Sequence, residues 1–299
     1  GSGTVTIAGT GTQNYIRTGT NNMNVANAFS VNSGSSLRVG ATNSGWRSTW
    51  SGTISGAGGL YYAYSDNGAY LTGTNNSFGG GANIGSSGAL YVTSLGMAGS
   101  NSSIGTNGTI TMSSDSGTSG AGALYWIGTN SETSDKTFSL SAISSSTNQG
   151  VKIYAGDYST NPALPVGGTN LTLTLNGNIS SVSTNHKVIT LGAYNSNTLV
   201  LNGSINQTSG YTNSLVVGGA NSLNGTVVLS NANNSFGGGV SINAGSNSLN
   251  ILQVSALGNA GANSYLGTNG TINIGGNSVT GTNVLKYVGN GETSSKVIN

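Results

Sequence analysis

The 299-residue chain contains no cysteine, two prolines and one histidine, and only 5% of its residues are charged. Without cysteine it has no disulfide framework, no thiolate nucleophile and no cysteine-based zinc site. A net charge of +2 is too small for the basic surface that nucleic acids require. No segment approaches the roughly 18 apolar residues of a membrane span. We therefore expect no nucleic-acid partner and no direct membrane insertion by this segment.

Carboxylates are also scarce. The six acidic residues are Asp66, Asp115, Glu132, Asp135, Asp157 and Glu292. Only Glu132 and Asp135 are close in sequence, whereas glycoside hydrolysis needs two cooperating carboxylates and calcium sites need clusters of oxygen ligands. We predict no catalytic residue, no cofactor and no metal ion. Glu132 near Lys136, repeated as Glu292 near Lys296, is better interpreted as a charge pair or a turn cap.

The single histidine, His186, precedes the apolar residues 188–191. A catalytic triad would need an aspartate and a serine beside it, and serine is so abundant here that its proximity carries little information. We interpret His186 as a turn residue ahead of a strand.

Short runs of alternating apolar and polar residues make up most of the chain. Leu171, Leu173 and Leu175, for example, alternate with threonines. This period of two is typical of strands with one buried face. Further runs of this kind are residues 4–7, 89–92, 109–112, 198–201, 226–229 and 250–254. Asn-Gly pairs between the runs, such as 176–177, 202–203, 224–225 and 269–270, predict turns with positive φ.

The sequence repeats itself in large units. Four ordered matches join residues 75–81 to 233–239, 95–99 to 257–261, 104–110 to 266–272, and 124–136 to 285–296. Self-similarity of this kind predicts a repeat architecture. We expect one continuous solenoid over 1–299, with a first unit of about 5–124, a second of about 124–285 and the start of a third at 286–299. The second unit is about 40 residues longer, which two coils inserted between 140 and 200 would explain.

Two β architectures suit these patterns. Asn-Gly pairs can close the hairpins of antiparallel sandwiches, but about twenty short runs are too many for one sandwich. An all-β, parallel β-helix fits better, with coils of roughly 20 to 25 residues that each carry two or three strands. Such a solenoid would have about 12 to 15 coils and measure roughly 55 to 70 Å. Stacked asparagines would form amide ladders along it without the repulsion between stacked like charges.

Residues 229–245, followed by Leu252-Gln253-Val254, resemble the autotransporter-associated β-strand repeat of bacterial passenger domains. That repeat contains an Asn-x-Phe/Tyr-x-Gly-Gly core, then Ile-Asn-x-Gly and Leu-x-Val. Residues 71–92 resemble it more loosely, and residues 287–299 resemble a strand that commonly accompanies it. The resemblance implies a right-handed β-helix, exported to the outer surface of a Gram-negative-type cell or beyond it, and acting as a stalk, adhesin or fibre subunit.

The ends of the chain resemble no polar cap. Solenoids need caps to shield their open edges. We therefore expect the chain to pack against further repeats, either of the same polypeptide or end to end with other copies.

An aromatic cluster suggests a contact surface. Trp46, Trp50 and Tyr61 stand close in a chain with few aromatics, and exposed aromatic rings can hold sugar faces or apolar partners. We name these three residues as the candidate partner contact, while packing in the core is the alternative role for each. The second functional hypothesis is therefore a carbohydrate-binding surface module.

A polysaccharide lyase or hydrolase on the same scaffold is a less favoured hypothesis. Such an enzyme would need acidic or basic side chains together in a groove, and no acid lies near Arg17, Arg38 and Arg47 in the sequence.

Overall fold

The structure, a computed structural model, describes residues 3–9, 11–63, 67–85, 88–114, 122–142, 150–157, 167–182, 187–243, 245–275 and 280–299. These residues form 28 strands and no helix. The strands are β1 Val5–Ile7, β2 Gly11–Thr18, β3 Met23–Val25, β4 Phe29–Val31, β5 Ser35–Ala41, β6 Ser48–Trp50, β7 Ile54–Ser55, β8 Gly59–Tyr62, β9 Ala69–Leu71, β10 Ala82–Ile84, β11 Ala89–Val92, β12 Thr109–Ser114, β13 Gly122–Trp126, β14 Glu132–Ser134, β15 Thr137–Ala142, β16 Gly150–Ala155, β17 Thr172–Leu175, β18 Ile179–Ser181, β19 Lys187–Ala193, β20 Thr198–Leu201, β21 Ile205–Asn206, β22 Asn213–Gly218, β23 Thr226–Leu229, β24 Val240–Asn243, β25 Leu249–Val254, β26 Thr271–Ile274, β27 Thr282–Tyr287 and β28 Val297–Ile298.

The strands stack into four parallel sheets. An eleven-stranded sheet runs from β3 to β28, and an eight-stranded sheet runs from β2 to β21. A three-stranded sheet (β1, β4, β7) and a six-stranded sheet (β14 to β27) complete the set. Consecutive strands belong to different sheets, and each strand pairs with one from the coil before or after it. This is the predicted all-β, parallel β-helix, and the sandwich alternative is excluded because every strand pairing is parallel.

Each coil has strands on two or three faces of the rod. From β1 to β9 the chain passes from the three-stranded to the eight-stranded and then to the eleven-stranded sheet, and from β14 to β22 the six-stranded sheet takes the place of the three-stranded one. Strands β10 to β13 alternate between the eight- and eleven-stranded sheets, and strands β23 to β28 alternate between the six- and eleven-stranded sheets. Coil length varies, since the step along the chain from Ile153 to its partner Leu191 is nearly twice the step from Ala69 to its partner Leu90. The eleven strands of the longest sheet mark eleven described rungs. This count lies just below the expected range of coils, because several coils are longer than the sequence pattern suggested.

Apolar columns fill the interior along the axis. Successive rungs of the eleven-stranded sheet place Leu90, Leu124, Ile153, Leu191, Val217 and Ile242 in one such column. All six are at most 1% exposed. Burying a side chain of this size stabilises the fold by about 1.5 to 3 kcal/mol. The alternation predicted for residues 171–175 is confirmed, since Leu173 and Leu175 are buried within β17 and the intervening Thr174 is half-buried.

The Asn-Gly pairs do not have the predicted conformation. None of the glycines 177, 203, 225 and 270, and none of the asparagines before them, has positive φ. Instead the backbones of successive coils approach each other closely: a Cβ on Gly203 would overlap the carbonyl oxygen of Gly177, and one on Gly177 would overlap that of Lys136. The adjacent asparagines do stack as expected, and Asn202 Nδ2 donates to Asn176 Oδ1 at 2.9 Å.

Candidate functional site around Tyr61

The three aromatic residues chosen from the sequence do not form one surface. Trp50 is 1% exposed; its ring centroid lies 5.7 Å from that of Phe29, and its Nε1 donates to Ser48 Oγ at 2.9 Å. The expectation that Trp50 contacts a partner is therefore wrong, because its position in β6 turns it into the core. Trp46 is half-buried in the loop before β6.

Tyr61 lies on the outer side of β8. Its neighbours Leu60 and Tyr62 are at most 1% exposed in the core, so alternation turns the Tyr61 ring outward. The sequence alone predicts this arrangement, because alternation places Leu60 and Tyr62 on one face of a strand and Tyr61 on the other. Tyr64, which the same alternation places on the face of Tyr62, lies outside the described residues.

Arg38 links two tyrosines across three coils. Strand register places Tyr15, Arg38 and Tyr61 in one outward row of the eight-stranded sheet. The guanidinium carbon of Arg38 lies 4.6 Å from the Tyr15 ring centroid and 4.8 Å from that of Tyr61. Its Nη1 also donates to Tyr15 Oη at 2.7 Å, and its Nη2 to the carbonyl oxygen of Ala63 at 2.8 Å. Such cation–π contacts hold the rings in place.

Arg17 contacts this row from within β2. Its guanidinium carbon lies 5.1 Å from the Tyr15 ring centroid. Register pairs Arg17 with Gly40 rather than with Arg38. The spacing of 21 residues along the sequence would allow Arg17 and Arg38 to stack one coil apart. They do lie on adjacent coils, but they meet at the Tyr15 ring.

A groove of about 460 Å³ opens on the other side of Tyr61. It is lined by Ser36, Leu60, Tyr61, Gly80, Gly81, Ala82, Asn83, Asn107, Thr109 and Thr111. The row continues here from Tyr61 to Asn83 and Thr111. Gly80 and Gly81 form part of the wall. A Cβ on Gly81 would lie 3.5 Å from Asn107 Cγ, so the lack of a side chain there leaves space in the groove, whereas Gly80 allows close contact with the backbone of Gly58 and Gly59. Its lining is neutral and combines one aromatic ring with amides and hydroxyls.

The predicted caps at Glu132 and Lys136 are well formed. Glu132 Oε1 accepts hydrogen bonds from Ser94 Oγ (2.8 Å) and from the backbone N–H of Gly96 (2.6 Å), while Oε2 accepts from Trp126 Nε1 (2.6 Å). Fully buried Lys136 donates from Nζ to the carbonyl oxygens of residues 105 and 107. Burial lowers the pKa of Lys136, and the nearby Asp135 partly opposes this. Both charged side chains therefore form hydrogen bonds with backbone groups of the loops.

The matching residues 292–296, at the start of the third unit, reproduce this arrangement. Glu292 accepts from the backbone N–H groups of Leu257 and Gly258, and Lys296 Nζ donates to the carbonyl oxygens of residues 267 and 269. Ser295 replaces Asp135: its Oγ accepts from the N–H of Ala260 at 3.0 Å, whereas Asp135 Oδ1 accepts from the N–H of Ala98 at 2.6 Å. The replacement keeps the hydrogen bond and removes the charge, which favours a structural cap over a calcium site.

A ladder of tyrosine rings was not predicted from the sequence. Tyr70, Tyr91, Tyr125 and Tyr154 pair rung by rung in the eleven-stranded sheet. Neighbouring ring centroids lie 4.2, 4.6 and 5.0 Å apart in stacked orientation. Tyr194 caps the row edge-on, 5.7 Å from Tyr154. Each of the four stacked tyrosines has apolar residues on both sides in sequence, which marks it as a strand residue, but the row itself follows only from the strand register.

Burial dominates the chemistry of this tyrosine ladder. It raises the pKa values of Tyr91, Tyr125 and Tyr154, and the neighbouring tyrosines add to the effect. The phenols therefore stay neutral, and Tyr154 Oη has no hydrogen-bond partner among the residues that the structure describes. The ladder is a packing device: Gly192 occupies its next position, where a Cβ would lie 2.8 Å from the Tyr154 ring.

Other candidates add no reactive group. His186 lies outside the described residues. In the described ranges, no three histidine, cysteine or acidic side chains come together as metal ligands. Those ranges also hold no helix of the length and apolarity that crossing a membrane requires. Comparison with protein-family models, with curated proteins and with solved structures gives no match to this chain.

Proposed function

We propose that this chain is a non-enzymatic segment of a bacterial surface protein, in which the β-helix acts as a rigid stalk, adhesin or fibre subunit. The observation that supports this most directly is the unbroken parallel stacking of the eleven-stranded sheet from Met23 to Ile298. At about 4.8 Å per rung, eleven rungs make a rod roughly 50 Å long. This arrangement makes the rod long and stiff, and a stalk needs these properties but no reactive group.

The composition supports the same proposal. Every outward position lies about 4.8 Å from its equivalent on the next coil, so stacked like charges would repel. The chain instead uses amides and hydroxyls, as in the Asn176–Asn202 pair. An exported location, on the outer surface of a Gram-negative-type cell or beyond it, belongs to the proposal through the resemblance of residues 229–245 to autotransporter repeats.

We also propose that the rod packs against further repeats of its own kind. Each strand of the four sheets pairs in parallel with strands of the neighbouring coils. Association that extends this stack would therefore use the same main-chain contact that holds the coils together.

Labelling of intact cells tests the surface assignment. An antibody raised against the purified chain is applied to the source organism before and after permeabilisation. We expect equal labelling of both samples, and loss of the signal when intact cells are treated with protease. Labelling that needs permeabilisation would contradict the proposal.

Small-angle X-ray scattering of the purified chain tests the rod separately. We expect the scattering of an elongated particle, and the scattering of a compact sphere would contradict the proposed rod.

A further inference from the structure

The groove beside Tyr61 differs from its counterpart in the second repeat. The frame is the same in both: Asn107 Nδ2 donates to the Gly79 carbonyl oxygen at 2.9 Å, and Asn269 Nδ2 to that of Gly237 at 3.0 Å. The residues along the row are different. Tyr61, Asn83 and Thr111 in the first repeat correspond to Val216, Ser241 and Asn273 in the second. The repeat thus supplies one backbone frame with two different surfaces.

The first surface has the chemistry of a sugar site. Arg38 covers one side of the Tyr61 ring at 4.8 Å, and the groove lies on the side of the next coil. A ring held in this way offers a flat apolar wall, and the C–H face of a pyranose can pack against it. The volume of about 460 Å³ lies within the usual range of ligand pockets, roughly 300 to 1,000 Å³.

Asn83 provides the polar floor. Its side chain makes no hydrogen bond to the described residues, and its Oδ1 is an acceptor without a partner. The amide can therefore turn toward a ligand hydroxyl without breaking a protein hydrogen bond, which lowers the cost of binding. Thr109, Thr111 and Ser36 add hydroxyls to the rim. None of the lining residues is charged, so the groove favours a neutral ligand over a phosphate or a carboxylate.

We propose that the groove between Tyr61 and Thr111 binds a neutral glycan chain, with the Tyr61 ring against a sugar face and the Asn83 amide hydrogen-bonded to a hydroxyl. This inference deepens the adhesin part of the proposed function by naming a site and a ligand class. The stalk role does not depend on it, because the two proposed contact residues, Tyr61 and Asn83, stand in the outward row and not among the buried core residues.

Titration calorimetry with neutral hexasaccharides tests the site. Cellohexaose, maltohexaose, mannohexaose and chitohexaose are each titrated into the full chain. We expect at least one to bind. Tyr61→Val and Asn83→Ser, which install the residues of the second repeat in the same frame, should each weaken that binding by about tenfold or more. Circular dichroism confirms that the variants keep their strands.

Val216→Ala, at the matching position of the second repeat, is the control and should leave affinity unchanged. Failure of all four sugars to bind would overturn the inference. Equal affinity of the Tyr61→Val and Asn83→Ser variants with the parent chain would overturn it too. Both results are independent of the cell-labelling and scattering experiments, so the glycan site can fail while the rod and its surface location stand.

Discussion

At the scale of single residues, two buried asparagines each join the start of a short strand to two loop segments. Asn76 Oδ1 accepts from the N–H of Ile54 at 2.8 Å, and its Nδ2 donates to the carbonyl oxygens of Gly73 and Ser103 at 3.1 and 2.8 Å. Asn234 makes the same three bonds in the second repeat, at 2.8 to 2.9 Å. Each asparagine thus satisfies one backbone donor at the start of a two-residue strand and two backbone acceptors in the adjoining loops.

Replacing Asn76 with alanine should be costly. Asn76→Ala leaves those backbone groups buried without partners, and we expect a loss of about 3 kcal/mol in the free energy of unfolding. Denaturant unfolding measures it. Asn75→Ala is the control, because Asn75 is exposed next to the same site, and it should change stability by less than about 0.5 kcal/mol. Equal effects of the two substitutions would show that the amide bonds are not what stabilises the loop.

Substitutions of Glu132 and Asp135 should differ sharply in their effect on stability. Glu132→Ala removes the acceptor of three hydrogen bonds, including that of Trp126 Nε1, so we expect a loss of about 3 kcal/mol in the free energy of unfolding. Asp135→Ser should cost less than about 1 kcal/mol, because Ser295, at the matching position, already accepts the equivalent N–H. Thermal unfolding of the two variants checks the order. A larger loss for Asp135→Ser would point to a role for its charge.

The glycines show where inference from a residue type reaches its limit. The Asn-Gly pairs predict positive-φ turns, but Gly177 and Gly203 are needed because coil backbones nearly touch there. Both situations select glycine, since both exclude a Cβ. The sequence alone therefore shows that glycine is required at these positions but not why. Only the coil register distinguishes a turn with positive φ from a close contact between backbones.

At the scale of elements, the tyrosine ladder makes stability depend on alkaline pH. Burial raises the pKa values of Tyr91, Tyr125 and Tyr154 above their usual 10.0. The unfolded chain ionises its tyrosines first, so their stabilising contribution is complete below pH 10 and is lost as pH rises above it. Burial acts oppositely on Lys136 and Lys187, whose pKa values lie below 10.5. For these lysines, stability rises with pH up to about 10.5.

Because the tyrosine effect alone continues above pH 10.5, we expect the melting temperature to fall steeply between about pH 10 and 12. Tyrosinate absorbance should report the buried phenols only as the protein unfolds. Tyr154→Phe is the matched variant: it keeps the ring, removes a hydroxyl without a hydrogen-bond partner and should flatten the alkaline decline at no cost near neutral pH. Ionisation of all tyrosines in the folded protein would contradict this prediction.

Strands were predictable from sequence, but the columns they form were not. Alternation located β11, β17, β20 and β23, because a half-buried strand repeats every two residues. The tyrosine ladder has no such signal, because its members are unevenly spaced along the chain and only the strand register aligns them. Loops of different length at the coil corners account for this uneven spacing. For the same reason, proximity in sequence wrongly grouped Trp50, which is buried, with Tyr61, which faces outward. The contact between Tyr61 and Arg38 depends on strand register and could not be predicted.

At the scale of the whole molecule, the two repeats are offset by one face of the rod. Strand β10 of the first repeat lies in the eight-stranded sheet, but its equivalent β24 lies in the eleven-stranded sheet. Likewise β11 of the eleven-stranded sheet corresponds to β25 of the six-stranded one. The repeats are therefore related by about a third of a turn together with a translation along the axis. A surface feature repeated in the sequence points in a different direction each time it recurs.

Stacked coils contact only their neighbours, so damage to one repeat should stay local. Asn76 and Asn234 make equivalent bonds in coils that are several rungs apart. In hydrogen–deuterium exchange we expect Asn76→Ala to lower protection in the coils around β7 to β12 by about a hundredfold, which corresponds to about 3 kcal/mol. Strands β20 to β26 should keep their protection in that variant. Asn234→Ala should give the reverse pattern. Uniform loss of protection along the rod in either variant would mean that the solenoid unfolds as one cooperative body, and the nearest-neighbour description would then be wrong.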